Sequence, residues 1–176
     1  DRNALAIGTY TVGVADVNQC TATLTINVAS ASNLNVTLQS TDVLCFGGND
    51  GSITSTTTGG TTPYTYLWND AVVTADRTGL AQGSYTLSVT DFNQCLVTAS
   101  VVINQPQQLS ATLQPVNVNC NGESSGSIDV TTTGGIQPYS FVWSDMVYAE
   151  DRTGIPAGNY QLVVYDDNQC TVADAV

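Results

Sequence analysis

The chain has 176 residues, with 15 acidic side chains against three basic ones, no Lys, no His and a net charge of −12. So acidic a surface excludes nucleic acid and anionic membrane surfaces as partners, because both require a basic footprint. The missing His excludes Ser-His-Asp and Cys-His catalysis within the chain. Hydrophobic content of 42% is enough for a packed core, and no apolar run approaches the ~18 residues of a membrane span.

The chain repeats itself without gaps. Asp1-Arg2, Asp76-Arg77 and Asp151-Arg152 are spaced by 75 residues, as are Cys20, Cys95 and Cys170, Cys45 and Cys120, and Trp68 and Trp143. A unit of this length exceeds the solenoid repeats that need neighbours for a core, so each repeat is expected to be a small domain. The expected division is 1–31 as the closing part of one repeat, 32–106 as a complete repeat and 107–176 as a nearly complete one. Residues 1–31 carry the pattern of two strands, and an isolated hairpin is marginal in water. They are expected to belong to a longer array or to be completed by a neighbouring chain.

In the complete repeat, Leu34, Val36 and Leu38 alternate with polar residues and predict an opening strand. Gly47 to Gly51 is a loop. Ile53 to Thr58 is β-branched and predicts a second strand, closed by Gly59-Gly60. Tyr64, Tyr66 and Trp68 share one face of a third strand. Residues 70–82 are less regular, with room for one or two short strands. Tyr85, Leu87 and Val89 alternate, Asp91 to Gln94 turn the chain, and Cys95 to Ile103 return as the last strand. No segment carries a helical apolar stripe. The class is all-β: tandem immunoglobulin-like β-sandwich domains of seven or so strands in a rod-like array. Gly83-Ser84-Tyr85 is placed like a tyrosine corner, whose phenol bonds the backbone.

Five cysteines at two repeated positions fit an oxidising, extracellular setting. Zinc fails on spacing, since there is no Cys-x-x-Cys and no His. A unit this small gains from a staple, and Cys45 with Cys95 would close a loop of roughly 50 residues, worth about 4 kcal/mol in the chain-entropy model. One pair per repeat gives Cys45–Cys95 and Cys120–Cys170, with Cys20 bonded upstream. Pairing across the linkers (Cys20–Cys45, Cys95–Cys120) stays open, as does Cys45 with Cys170, because the first loop and last hairpin of a sandwich lie at opposite ends.

Asp91, Asn93, Asp166 and Asn168 in the closing turns are candidate calcium ligands, oxygen donors on loops. No spacing resembles an EF-hand or a nonapeptide calcium repeat, so capping of the turn is preferred and no cofactor is expected. Arg2, Arg77 and Arg152 occupy one repeated position and read as anchors to acidic neighbours. The aromatic faces (Tyr64, Tyr66, Trp68; Tyr139, Phe141, Trp143) read as core rather than as a sugar platform. The scattered carboxylates form no acid–base pair, so no enzyme activity and no catalytic residue are expected.

Cys45-x-Gly47, Gly51-Ser52-Ile53, Gly59-Gly60-x-x-Pro63-Tyr64-x-Tyr66-x-Trp68, Leu80-x-x-Gly83-x-Tyr85 and Asp91-x-x-x-Cys95 together resemble the SprB-type repeat of Bacteroidetes gliding-motility adhesins and giant surface proteins. The same signature returns at Cys120, Gly126-Ser127-Ile128, Gly134-Gly135, Pro138-Tyr139, Trp143, Gly158, Tyr160, Asp166 and Cys170. Gln94 and Gln169 depart from it, standing where that family usually has Gly. The resemblance implies a secreted cell-surface protein exported by a type IX pathway. The expected function is a non-enzymatic structural repeat of a long adhesin or filament. Its partners would be neighbouring repeats of the same chain, with self-association into filaments as a further one. The alternatives are a spacer in a large secreted hydrolase and a protomer of a self-assembling fibre.

Overall fold

The computed structural model describes residues 2–30 and 33–176, and those residues form strands, turns and loops without a helix. Asp1 and the expected boundary at 31/32 lie outside the described residues. β1 (Gly8–Ala15) and β2 (Thr21–Val28) pair as an antiparallel hairpin from Gly8↔Val28 to Ala15↔Thr21.

Six strands follow: β3 (Asn35–Thr41), β4 (Gly51–Thr58), β5 (Thr65–Trp68), β6 (Arg77–Leu80), β7 (Gly83–Thr90) and β8 (Leu96–Ile103). They form two antiparallel sheets, in the orders β3-β4-β6 and β5-β7-β8. The period-2 rule sends alternate residues inward. Val36, Ile53, Trp68, Leu80, Leu87, Val89 and Ile103 are therefore buried between the sheets, with Tyr64, Tyr66 and Tyr85 packed against them. Trp68 is 2% exposed and Leu87 is fully buried.

One strand fewer forms than the seven or so expected. Residues 70–76 are occupied by a tight reversal after β5: the Ala71 N–H bonds the Trp68 carbonyl, the Trp68 N–H bonds the Val72 carbonyl, and Ala71 has φ of +65°. β6 is short and carries a bulge, since Gly51 pairs with Leu80 but Ser52 with Thr78. Gly79 (φ +69°) is the extra residue, a backbone state that favours glycine.

The plan returns in β9 (Ser110–Val116), β10 (Gly126–Thr133), β11 (Ser140–Trp143), β12 (Arg152–Ile155), β13 (Gln161–Tyr165) and β14 (Thr171–Ala175), with sheets β12-β10-β9 and β11-β13-β14. Its core is separate, built from Ala111, Ile128, Val130, Trp143, Ile155, Leu162 and Val164. Each sandwich thus has its own interior, as domain-sized repeats require.

The chain path fixes the two ends of each sandwich. The β3–β4 loop, residues 42–50, sits with the exit of β8, where the Val43 N–H bonds the Asn104 carbonyl at 3.0 Å. The β4–β5 and β7–β8 turns lie together at the other end, where the Phe92 N–H bonds the Thr61 carbonyl at 2.9 Å. β4 runs from one end to the other, and its eight residues span about 25 Å at ~3.3 Å each.

Candidate functional site, the junction between repeats

Three devices carry the local chemistry, the first two of them repeated. The first is the closing turn. Asp16, Asp91 and Asp166 each accept a bond from the Cys backbone N–H four residues on, at 2.8 Å in all three turns. Their own N–H groups bond that Cys carbonyl at 3.0 Å. The second carboxylate oxygen of Asp91 takes the Thr61 N–H, and that of Asp166 the Ile136 N–H, both at 2.9 Å. Both carboxylates are 2% exposed, a placement that costs heavily unless the oxygens are satisfied. Burial pushes the Asp91 carboxyl up, but the N–H bonds from Cys95, Thr61 and Asn93 outweigh it and hold it below its ordinary range. The Asp91 charge in turn raises the Cys95 thiol.

The carboxylate lies hard against the glycine turn across from it. A side chain at Gly60 or Gly135 would meet the Asp91 or Asp166 oxygen at 3.0 or 2.8 Å, and φ there is +61° and +57°. Gln19, Gln94 and Gln169 hold φ of +63° to +64°. They adopt the left-handed state for which glycine is usual, so the turn geometry survives the departure from the family pattern.

For the calcium candidates, the oxygens of Asp91 and Asp166 are engaged as turn caps, the role preferred from the sequence. Asn93 donates to Thr61 Oγ1 at 2.9 Å and Asn168 to the Leu44 carbonyl at 2.9 Å. Among the described residues no three His, Cys, Asp or Glu side chains gather as a metal cluster.

The second device is an arginine clamp. Arg77 donates two bonds to Asp70, at 3.0 and 2.8 Å, and Arg152 two to Asp145, at 2.9 and 2.7 Å. The guanidinium carbon of Arg77 lies 5.5 Å from the Trp68 ring and 5.8 Å from Tyr85, and that of Arg152 lies 5.3 Å from Trp143 and 5.5 Å from Tyr160. The planar cation thus joins a forked carboxylate contact to two aromatic contacts. The Arg hydrogen bond holds both Asp70 and Asp145 below the ordinary carboxylate range. The anchor role read from the sequence is correct for Arg77 and Arg152. Its carboxylate partner was missed, although Asp70 and Asp145 obey the same 75-residue spacing and the period could have found them. Arg2 lies 5.8 Å from the Tyr10 ring. Tyr10, Tyr85 and Tyr160 each donate to the carbonyl four residues back, at 2.8, 3.0 and 2.9 Å, the bond expected of a tyrosine corner. Trp68 and Trp143 turn inward, so the aromatic faces are core.

The third device joins the sandwiches. Cys45, in the first loop of one, is bonded to Cys170, in the closing turn of the next, with Cα atoms 5.7 Å apart. Cys20, Cys95 and Cys120 are free and exposed. This corrects the expected pairs Cys45–Cys95 and Cys120–Cys170. Within one sandwich the two cysteines sit at opposite ends, separated by the length of β4. A disulfide spans only about 4.4–6.8 Å between Cα atoms. End-to-end stacking instead lays the first loop of one repeat on the closing turn of its successor. The Asn168–Leu44 bond belongs to this junction. Asp42 accepts the Asn104 N–H at 2.8 Å, and Gln105 accepts the Gly47 N–H at 2.8 Å, so the linker is tied to the loop that carries Cys45. Thr41, Val43, Leu44, Pro106 and Ile136 line the shallow groove alongside.

With this geometry in place, comparison with known families can be read against it. The SprB repeat matches residues 37–73 and 112–147. Both stretches are consistent with a SprB-type repeat. No curated protein matches the chain. Each SprB match runs from the opening strand to just past the Trp strand, and includes the first-loop cysteine, the Trp and the clamp Asp. The clamp Arg, the tyrosine corner and the closing turn lie beyond the matched stretch, 75 residues apart in the two units.

Proposed function

We propose that the chain is a stretch of the stalk of a long extracellular surface adhesin or filament, exported to the cell surface, whose repeats act by extending length rather than by catalysis. The SprB-type repeats support an adhesin-like surface protein. The observation that carries the stalk reading is the end-to-end junction, in which one sandwich is stapled by Cys45–Cys170 to the next. Head-to-tail contacts propagate, so added repeats add length. Small-angle scattering on chains of increasing repeat number tests it: the maximum dimension should rise linearly with repeat number, and growth as the cube root would defeat the reading.

One observation favours a second reading, assembly into a fibre. Val12, Val14, Leu24 and Ile26 of the β1–β2 hairpin are all more than half exposed, a face that strands from another chain could cover. Concentration-dependent polymerisation of the purified protein, lost on Leu24→Asp, would support it; a monomer at all concentrations would exclude it.

A further inference from the structure

Cys95 and Cys120 are not strays from a failed pairing. Each stands in a copy of one half of the Cys45–Cys170 junction. Cys120 occupies the same place in its loop as Cys45: the residue three on, Gly48 or Glu123, donates its N–H to the cysteine carbonyl, at 3.0 and 3.2 Å. Gly47 and Gly122 follow two residues after the cysteine with φ of +73° and +85°. Cys20 and Cys95 occupy the same place in their turns as Cys170, with the same aspartate cap and the same left-handed Gln before the cysteine. The junction's other specific bond runs from Asn168 to a backbone carbonyl, which any residue supplies. Asn93 and Asn18 stand at the matching donor positions and Asn119 at the matching acceptor position.

We propose that Cys20, Cys95 and Cys120 are interaction sites for further SprB-type repeats, joined through the same staggered disulfide. Cys120 takes the closing-turn cysteine of a repeat one period on, while Cys95 and Cys20 take the first-loop cysteine of a repeat one period back. In such an array every repeat carries two half-junctions, one at each end, and every junction is covalent. The inference rests on the repeat geometry and holds whatever the array is used for.

The chemistry needs an oxidant, here a small-molecule disulfide such as oxidised glutathione. The Cys120 thiolate attacks one glutathione sulfur, the glutathione S–S bond breaks and one glutathione thiolate leaves. The partner cysteine's thiolate then attacks the Cys120 sulfur and expels the second glutathione. Two thiols have lost two protons and two electrons, and one glutathione disulfide has become two thiols.

The test is the full chain extended in frame after Val176 by a second copy of residues 102–176, carrying in that copy Thr171→Ser as a mass tag and Cys120→Ser, so that the original Cys120 is the only one present. It is refolded in oxidised and reduced glutathione, alkylated with iodoacetamide and mapped without reduction. The original Cys45–Cys170 bond serves as the internal record that folding and oxidation succeeded. The expected result is a Cys120 peptide linked to the tagged closing-turn peptide, with loss of Cys120 alkylation relative to the unextended chain. When the original Cys120 also carries Cys120→Ser, the tagged cysteine should become alkylated while Cys45–Cys170 persists. Cys120 fully alkylated in the extended chain, or linked to Cys95, with Cys45–Cys170 formed, would overturn the proposal.

Discussion

Val12 and Leu87 stand at the same place in the repeat, one period apart, and so do Leu24 and Ala99. The two hairpins share their turn, their register and their tyrosine bond. They even share a hydroxyl pair across the strands, Thr11 with Thr25 at 3.1 Å and Thr86 with Ser100 at 2.8 Å. Yet Val12 is 53% exposed and Leu87 is not exposed at all. Turn, pairing and corner are thus properties of the hairpin itself. Burial is a property of the opposite sheet, which β3-β4-β6 supplies to β7–β8. Local sequence makes the hairpin, and the sandwich makes it stable.

The sharpest way to break that comparison is to truncate the equivalent side chains. Leu87→Ala should cost about 2–5 kcal/mol through lost burial and a residual cavity, whereas Val12→Ala should cost under about 0.5 kcal/mol. Urea melts in a Trp143→Phe background measure both, with Trp68 fluorescence reporting its own sandwich for Leu87→Ala and far-ultraviolet circular dichroism reporting the strands of the whole chain for Val12→Ala; equal costs would mean that β1–β2 is covered in solution.

Arg77→Ala comes next, at about 2 kcal/mol, since it removes two aromatic contacts and the packing of a long stem. Circular-dichroism melts of the same background give the value, and a loss confined to that sandwich is the expected pattern. A smaller effect is the acid limb. Asp70, Asp91 and Asp145 titrate below their ordinary range when folded, so the stability they contribute is complete above about pH 5 and disappears as pH falls through their folded values. Asp70→Asn should flatten part of that decline, and an unchanged pH profile would remove the clamp as its source.

The smallest expected change sharpens a second contrast. Ser55 stands where the other sandwich has Val130, and its buried hydroxyl has no hydrogen-bond partner among the described residues. Ser55→Val should stabilise its sandwich by about 1 kcal/mol. A destabilised variant would mean that the hydroxyl is satisfied by water.

The strands were legible because alternation at Leu34–Leu38, Tyr64–Trp68 and Tyr85–Val89 is a direct record of which side chains face the interior. Asp91 as a turn cap and Arg77 as an anchor were legible from residue chemistry and recurrence. The extra strand was not excluded because the Asp70–Ala71 reversal is set by a positive φ at an alanine, which residue type does not announce. The disulfide partners were not legible either. One pair per repeat is a rule about counting, whereas pairing is decided by which ends of neighbouring sandwiches meet, and Cys45 and Cys95 lie a strand's length apart.

The Cys45–Cys170 bond also reroutes mechanical load. A pull along the chain enters through β3, crosses the sulfur bridge to Cys170 and leaves through β14. The 125 residues of separation that hold both Trp cores therefore lie off the line of force, and roughly 400 Å of unravelled backbone is withheld from extension. A tether built this way stays short and inextensible under tension, and a backbone cut between the two cysteines leaves it unsevered.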